Sequence, residues 1–295
     1  MKRVWVCLVA AALVWGGCSG SDSDDGATQA PDDGADGGSD DSNNAPDDAG
    51  DGEPDAVADE DAPMEGDVPE AMPVEQTLTL TTDDGKSLAA TFFHPDGVSV
   101  LPAVLLLHQF AEDQSQWGQM PQRFGEAGVA VLTLDLRGHG GSDPQNGAPT
   151  DIFRDPNQAP LDVAAAVAFL KASPLVMPER LGVIGTSVGA NLAVVAMVQQ
   201  QGVEAIVSIS PRLSAIEDLA GNPAQLAVSS IYCVAGDQDG GGAQADSCRT
   251  LVEGATGSTE LLIYENSGAH GVDVLEAFPQ DVEAMERWLV DALSL

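Results

Sequence analysis

From residue 75 onward the chain alternates between two hydrophobic rhythms. Glu75 to Thr82 and Ser87 to Phe93 place polar and apolar residues in turn, the period of strands with one covered face. Asp83-Asp84-Gly85 between them has hairpin-turn chemistry, so these two strands are expected at one edge of a sheet. Val98–His108, Gly128–Leu134, Arg180–Thr186, Val203–Ser210, Ser229–Ala235 and Glu260–Tyr264 are instead mostly continuous apolar runs, which suit strands buried on both faces. Between them the period lengthens. Trp117, Met120, Phe124 and Ala127 recur at helical spacing, as do Val163, Val167 and Leu170 within Leu161–Ala172. Further helices are expected through Val194, Val195 and Val198, over Ala243–Glu253, and at the end through Val282, Met285, Leu289 and Ala292.

Strands alternating with helices of ten to fifteen residues predict an α/β fold: a mostly parallel, twisted sheet of about eight strands, helices on both faces, and right-handed crossovers. The link from Pro211 to Val228 leaves room for a minimal cap only. In such sheets ligands bind outside the carboxyl ends of the strands. His108, Asp135, Ser187, Asp239 and His270 each follow a strand end, so five polar candidates reach one rim.

The chain before residue 75 has neither rhythm. Met1-Lys2-Arg3 is basic, Val4 to Val14 is apolar but too short to span a bilayer permanently, and small residues precede Cys18. This layout is a secretory signal. With Gly16-Gly17 before the cysteine it resembles a bacterial lipoprotein signal, which implies that Cys18 becomes the lipidated first residue; the alternative is an ordinary cleaved signal with a stray cysteine. Residues 19–74 are Asp, Gly, Ala, Pro, Ser and Asn with almost no bulky apolar side chain. Such a segment cannot offset its ordering entropy by burial and is expected to be a disordered acidic linker. The reading is therefore a signal over 1–18, a tether over 19–74 and one folded domain over 75–295.

Charge changes the picture of partners. The chain carries a formal net charge of −36, and from Gln76 onward 27 Asp and Glu stand against 9 Lys and Arg. Clustered cations of the kind that bind phosphate backbones are absent, so nucleic acid is excluded as a partner. A membrane contact is expected only through the lipid on Cys18. No metal-ligand spacing such as H-E-x-x-H occurs, and the Asp-rich tract lacks a complete twelve-residue calcium loop, so no metal and no cofactor are expected.

The candidate chemistry centres on Arg180–Asn191. A β-branched run leads into Gly185-Thr186-Ser187-Val188-Gly189 and then into an apolar helix. A tight strand-to-helix turn there lifts the Ser187 hydroxyl clear of the backbone, and the flanking glycines are required because side chains would collide with neighbouring elements. A serine needs a base within hydrogen-bond reach, and the base needs a third group to fix its tautomer. In chain order the sequence offers Ser187, Asp239 and His270. That order resembles the α/β-hydrolase family, including its serine esterase, dienelactone-hydrolase-like and serine aminopeptidase-like members. The resemblance rests on the Ser187 motif, Leu107-His108, Asp135-Leu136-Arg137-Gly138-His139-Gly140 and Gly268-Ala269-His270-Gly271, and runs from about residue 76 to the end.

The resemblance implies Ser187 as nucleophile, His270 as base, Asp239 as acid with Asp237 in reserve, and the N–H groups of Val188 and Phe110 as the oxyanion hole. Gln109 stands where the family commonly has glycine; either its side chain narrows the oxyanion pocket or its amide joins the hole. His94 is expected at the surface, and His108 and His139 in bracing roles. Cys233 lies in the strand before the acid loop and Cys248 on the helix that folds back over it. In an exported, oxidising setting they are candidates for a disulfide, the alternative being two buried thiols. The expected function is a membrane-tethered serine hydrolase of the cell envelope, acting on a small ester or related acyl substrate. The rivals are an aminopeptidase or acyltransferase on the same fold, or a binding lipoprotein on an inactive scaffold.

Overall fold

The computed structural model describes residues 4–5, 73–97, 100–200, 202–221 and 226–294. Cys18 and the linker as far as residue 72 lie outside the described residues. Nine strands are found among them: β1 (Val4–Trp5), β2 (Pro73–Thr81), β3 (Ser87–Pro95), β4 (Leu101–Leu107), β5 (Ala130–Leu134), β6 (Val176–Thr186), β7 (Val203–Ile209), β8 (Ser230–Gly236) and β9 (Thr259–Tyr264). The helices are α1 (Met120–Glu126), α2 (Ala159–Ala172), α3 (Val188–Gln199), α4 (Leu213–Ala220), α5 (Ala243–Gly254), α6 (Val272–Ala277) and α7 (Pro279–Leu293).

The sheet runs β1-β9-β8-β7-β6-β4-β5-β3-β2. From β9 to β5 every neighbouring pair is parallel. The polar–apolar alternators β2 and β3 form the antiparallel edge, as their one-faced pattern requires. At the other edge Val4 pairs with Ile263 and Trp5 with Leu262. Strand β4 has β5 on one side and β6 on the other, so the order reverses there, and the crevice outside its carboxyl end is the expected binding position. This is the α/β-hydrolase fold.

Alternation along the central strands divides the core in two. Leu105, Leu107, Leu132, Val183 and Ile206 face α2, α3 and α5, whereas Val104, Leu106, Val131, Ile184 and Val207 face α1 and α7. Helix α3 is buried from Val188 to Met197, packed on β6 and β7 and covered by α2 and α4, so its first residues have little freedom to move. The helical spacing around Trp117 resolves into two pieces. A 3-10 turn, Gln114–Trp117, capped by the Asp113 carboxylate, ends at Gly118 in a positive-φ conformation (51°), and α1 starts beyond it with Pro121 in its first turn. Helix α6 has no counterpart among the expected elements; six residues are too few for a period to show.

Cys233 of β8 and Cys248 of α5 form a disulfide that spans 15 positions and encloses Asp239. Closing a loop of that size stabilises a domain by about 3 kcal/mol. The Cys233→Ala/Cys248→Ala protein is therefore expected to lose about 3 kcal/mol in urea unfolding; an unchanged midpoint would contradict a stabilising bridge.

Candidate active site

Ser187 sits between β6 and α3 with φ 51° and ψ −111°, a sparsely populated region for a residue with a side chain, which costs about 1–3 kcal/mol. The surroundings enforce it. The Ser187 N–H donates to the Ile209 carbonyl at 2.9 Å, and the Ser187 carbonyl accepts from Asn191 N–H at 3.1 Å. A Cβ at Gly185 would overlap the Gly189 carbonyl, and one at Gly189 would overlap the Leu107 carbonyl at the end of β4. Both motif glycines are thus needed for close approach, one against the helix and one against the neighbouring strand.

His270 comes from the loop after β9. Its Nε2 is 2.7 Å from Ser187 Oγ, and its Nδ1 is 2.8 Å and 3.0 Å from the two Asp239 oxygens. This network assigns the proton to Nδ1, where it donates to Asp239, and leaves Nε2 to accept from the serine hydroxyl. Asp239 is 3% exposed, in the turn after β8. Of the two candidate acids, Asp239 is the one that meets His270. Asp237 instead accepts from the Ser267 N–H at 3.1 Å, steadying the loop that carries the histidine. Ser210, at the end of β7 with φ 60°, accepts from the Gly271 N–H at 3.0 Å and fixes the other side of that loop.

The hydrogen bond to Asp239 raises the His270 pKa above its ordinary 6.5, outweighing burial, which acts the other way. A base must be neutral to take the serine proton. If His270 is that base, kcat/KM should climb with pH through a midpoint above the usual imidazole value, because the raised pKa keeps the ring protonated to higher pH. A pH–rate profile whose acid limb lies at or below 6.5 would contradict this.

Gln109 borders the cavity beside Ser187 and also braces the loops around it. Its side-chain oxygen accepts from the Val272 N–H at 2.8 Å, tying the loop after β4 to the segment just beyond His270. Its backbone N–H donates to Gln116 Oε1 at 3.1 Å, and Gln116 Nε2 donates to Thr186 Oγ1 at 2.9 Å, next to the nucleophile. Two glutamines therefore link the three loops that meet at Ser187. Phe110 lies in the first of them, beside Ala111 at φ 69°, and Val188 opens α3, where its N–H has no intrahelical acceptor.

The remaining sequence candidates brace. His108 is fully buried; its Nδ1–H donates to the Gln109 carbonyl at 2.7 Å and its Nε2 accepts from Leu136 N–H at 2.9 Å. Burial pushes its pKa down to about 4, so it stays neutral. Asp135 accepts from the N–H groups of Gln114 and Gly141, both at 2.8 Å. Arg137, fully buried, bonds Asp162 and Asp84, and holds the Asp84 carboxyl down at about 2. His139 Nδ1 lies 3.0 Å from the Arg137 carbonyl oxygen, and its ring stands edge-on to Phe110. His94 Nδ1 lies 3.0 Å from the Pro95 carbonyl oxygen. Among the described residues no cluster of His, Cys, Asp and Glu could hold a metal ion.

A cavity of about 480 Å³ opens beside Ser187 and His270, bordered by Phe110 and Phe153. Sequence reasoning did not find Ser210, Asn191, Arg154, Arg212 or Gln244, which also line it. Only Asn191 carried a local signal, one turn beyond the Ser187 motif.

Residues 99–244 match the family described as serine aminopeptidase, S33. An uncharacterised protein of Mycobacterium tuberculosis strain H37Rv is 33% identical over 159 residues, 52% of this chain and 53% of that one. A polyketide transferase of Penicillium crustosum is 25% identical over 156 residues, 50% and 47% of the two chains. The chain thus spans about half the length of the curated relatives it matches. Acetyl xylan esterase 1 of Thermoanaerobacterium sp. superposes with TM-score 0.61 and 17% identity over 76% of this chain and 85% of that one. An esterase of Pyrococcus furiosus superposes with TM-score 0.56 and 17% identity over 75% and 91%. The family match, with the sheet order and the turn at Ser187, supports an α/β hydrolase.

Proposed function

We propose that this chain is a serine hydrolase that cleaves a carboxylic ester through an acyl-enzyme on Ser187. The 2.7 Å approach of His270 Nε2 to Ser187 Oγ, with Asp239 behind the ring, carries the reading. His270 takes the hydroxyl proton as Ser187 attacks the carbonyl carbon. Val188 and Phe110 donate their N–H groups to the developing oxyanion, a contribution of about 3–4 kcal/mol for one such donor. The imidazolium returns the proton to the departing alcohol. Water, deprotonated by His270, then releases the acid. Asp239 holds the ring in the required tautomer throughout.

The S33 match favours a second reading, cleavage of an N-terminal peptide bond by the same machinery. 4-Nitrophenyl butyrate and a panel of amino-acyl 4-nitroanilides separate the two. Ester turnover without anilide turnover is expected; efficient anilide cleavage would favour the peptidase, and turnover of neither would remove both.

We further place the domain in the cell envelope, exported and held by a lipid on Cys18 behind an acidic tether. Cys18→Ser is expected to move the protein from the membrane to the soluble fraction; unchanged partition would refute the anchor.

A further inference from the structure

The charges around the cavity are the reverse of those on the rest of the domain. From Gln76 onward acidic residues outnumber basic ones by 27 to 9, yet among the described residues no carboxylate lines the cavity beside Ser187. Apart from His270, the ionisable side chains among the described residues that line it are Arg154 and Arg212.

These two arginines also differ from the others. Arg123 pairs with Glu286, Arg137 with Asp84 and Asp162, Arg249 with Asp246, and Arg287 with Glu283, while Arg180 donates to the Leu293 carbonyl. The guanidinium groups of Arg154 and Arg212 have no partner among the described residues. In a domain so rich in carboxylates, two unpaired cations at one cavity leave their forked donors open to an anion from outside.

Their main chains are nevertheless held. The Arg154 N–H donates to the Asp151 carbonyl at 3.1 Å, ending the 3-10 turn Pro149–Phe153. The Arg212 N–H donates to Asn191 Oδ1 at 2.7 Å, on the helix that Ser187 opens. A third feature points the same way. Gln244, only 7% exposed, borders this cavity, and its side-chain oxygen is buried without a hydrogen-bond partner. With its oxygen turned inward, the NH₂ is the end of the carboxamide left to donate to a bound anion.

Resting on the ester-hydrolase reading, we propose that this cavity selects short esters bearing a carboxylate, held by Arg154 and Arg212 with Gln244 beside them. Hydrolysis of such a half-ester consumes one water and yields a dicarboxylate, or a carboxylate-bearing alcohol, with its partner product.

Two substrate pairs test it on the full-length protein. 4-Nitrophenyl hemiglutarate against 4-nitrophenyl pentanoate puts the charge on the acyl side; 4-acetoxybenzoate against phenyl acetate puts it on the alcohol side. In at least one pair kcat/KM is expected to favour the anion, and that preference should fall about tenfold in Arg154→Ala and in Arg212→Ala, the scale of one charged hydrogen bond. No preference in either pair, or a preference that both substitutions leave intact, would overturn the proposal. Calorimetry of glutarate and 4-hydroxybenzoate on Ser187→Ala separates the two levels. Binding that weakens about tenfold on adding either arginine substitution upholds the anion site even where no ester turns over, in which case the ester reading alone falls. No binding of either anion overturns the anion site even where neutral esters are hydrolysed.

Discussion

Ser187→Ala is expected to lower kcat for ester cleavage by about 10⁶-fold, the scale seen when the serine of a working triad is removed. The loss is that large because the substitution deletes the bond-forming atom and leaves His270 with no proton to take. What remains is the oxyanion hole and substrate binding, which still exceed the uncatalysed rate by about 10³–10⁴-fold. The fold should survive. Ser187 is held by backbone hydrogen bonds to Ile209 and Asn191 that alanine keeps, so circular dichroism and the unfolding midpoint should change little. A variant that retains its activity while folded would remove Ser187 from the mechanism.

Asp239→Asn should cost about 10⁴-fold in kcat. Asparagine keeps the shape but offers an N–H₂ where the ring needs an acceptor, so the His270 tautomer is no longer held and Nε2 ceases to be the free base. The same change removes the main cause of the raised His270 pKa, so the residual activity should show its acid limb at lower pH than the wild type. That second readout distinguishes a positioning carboxylate from one that merely stabilises the loop. Asp237→Asn, which keeps an acceptor for the Ser267 N–H, should leave the acid limb where it was. If instead Asp237→Asn shifts the limb and Asp239→Asn does not, the two aspartates have been assigned the wrong way round.

The reach of the sequence varies along the chain in a way the geometry explains. The Ser187 turn was legible because three independent signals meet there: a β-branched run, glycines at the two positions where a Cβ collides with backbone, and an apolar helix. The antiparallel edge was legible from alternation and the central strands from its absence. Asp239 was preferred to Asp237 on the family resemblance alone, since both follow β8 and the turn through Gly240 to Gly242, all with positive φ, decides which carboxylate faces His270. The role of Gln109 was equally hidden, because its partner Val272 lies 163 positions away and belongs to a helix too short to be anticipated. Arg154 and Arg212 lie in loops, where no period marks the direction of a side chain. Their meeting at one cavity is a property of the strand order.

The most direct measurement is intact-mass and peptide mapping after treatment with a fluorophosphonate, which captures a serine only when a neighbouring base has activated it. The account predicts a single adduct, on Ser187, abolished in Ser187→Ala and slowed in Asp239→Asn. An unlabelled wild-type protein, or an adduct on a different serine, would contradict it.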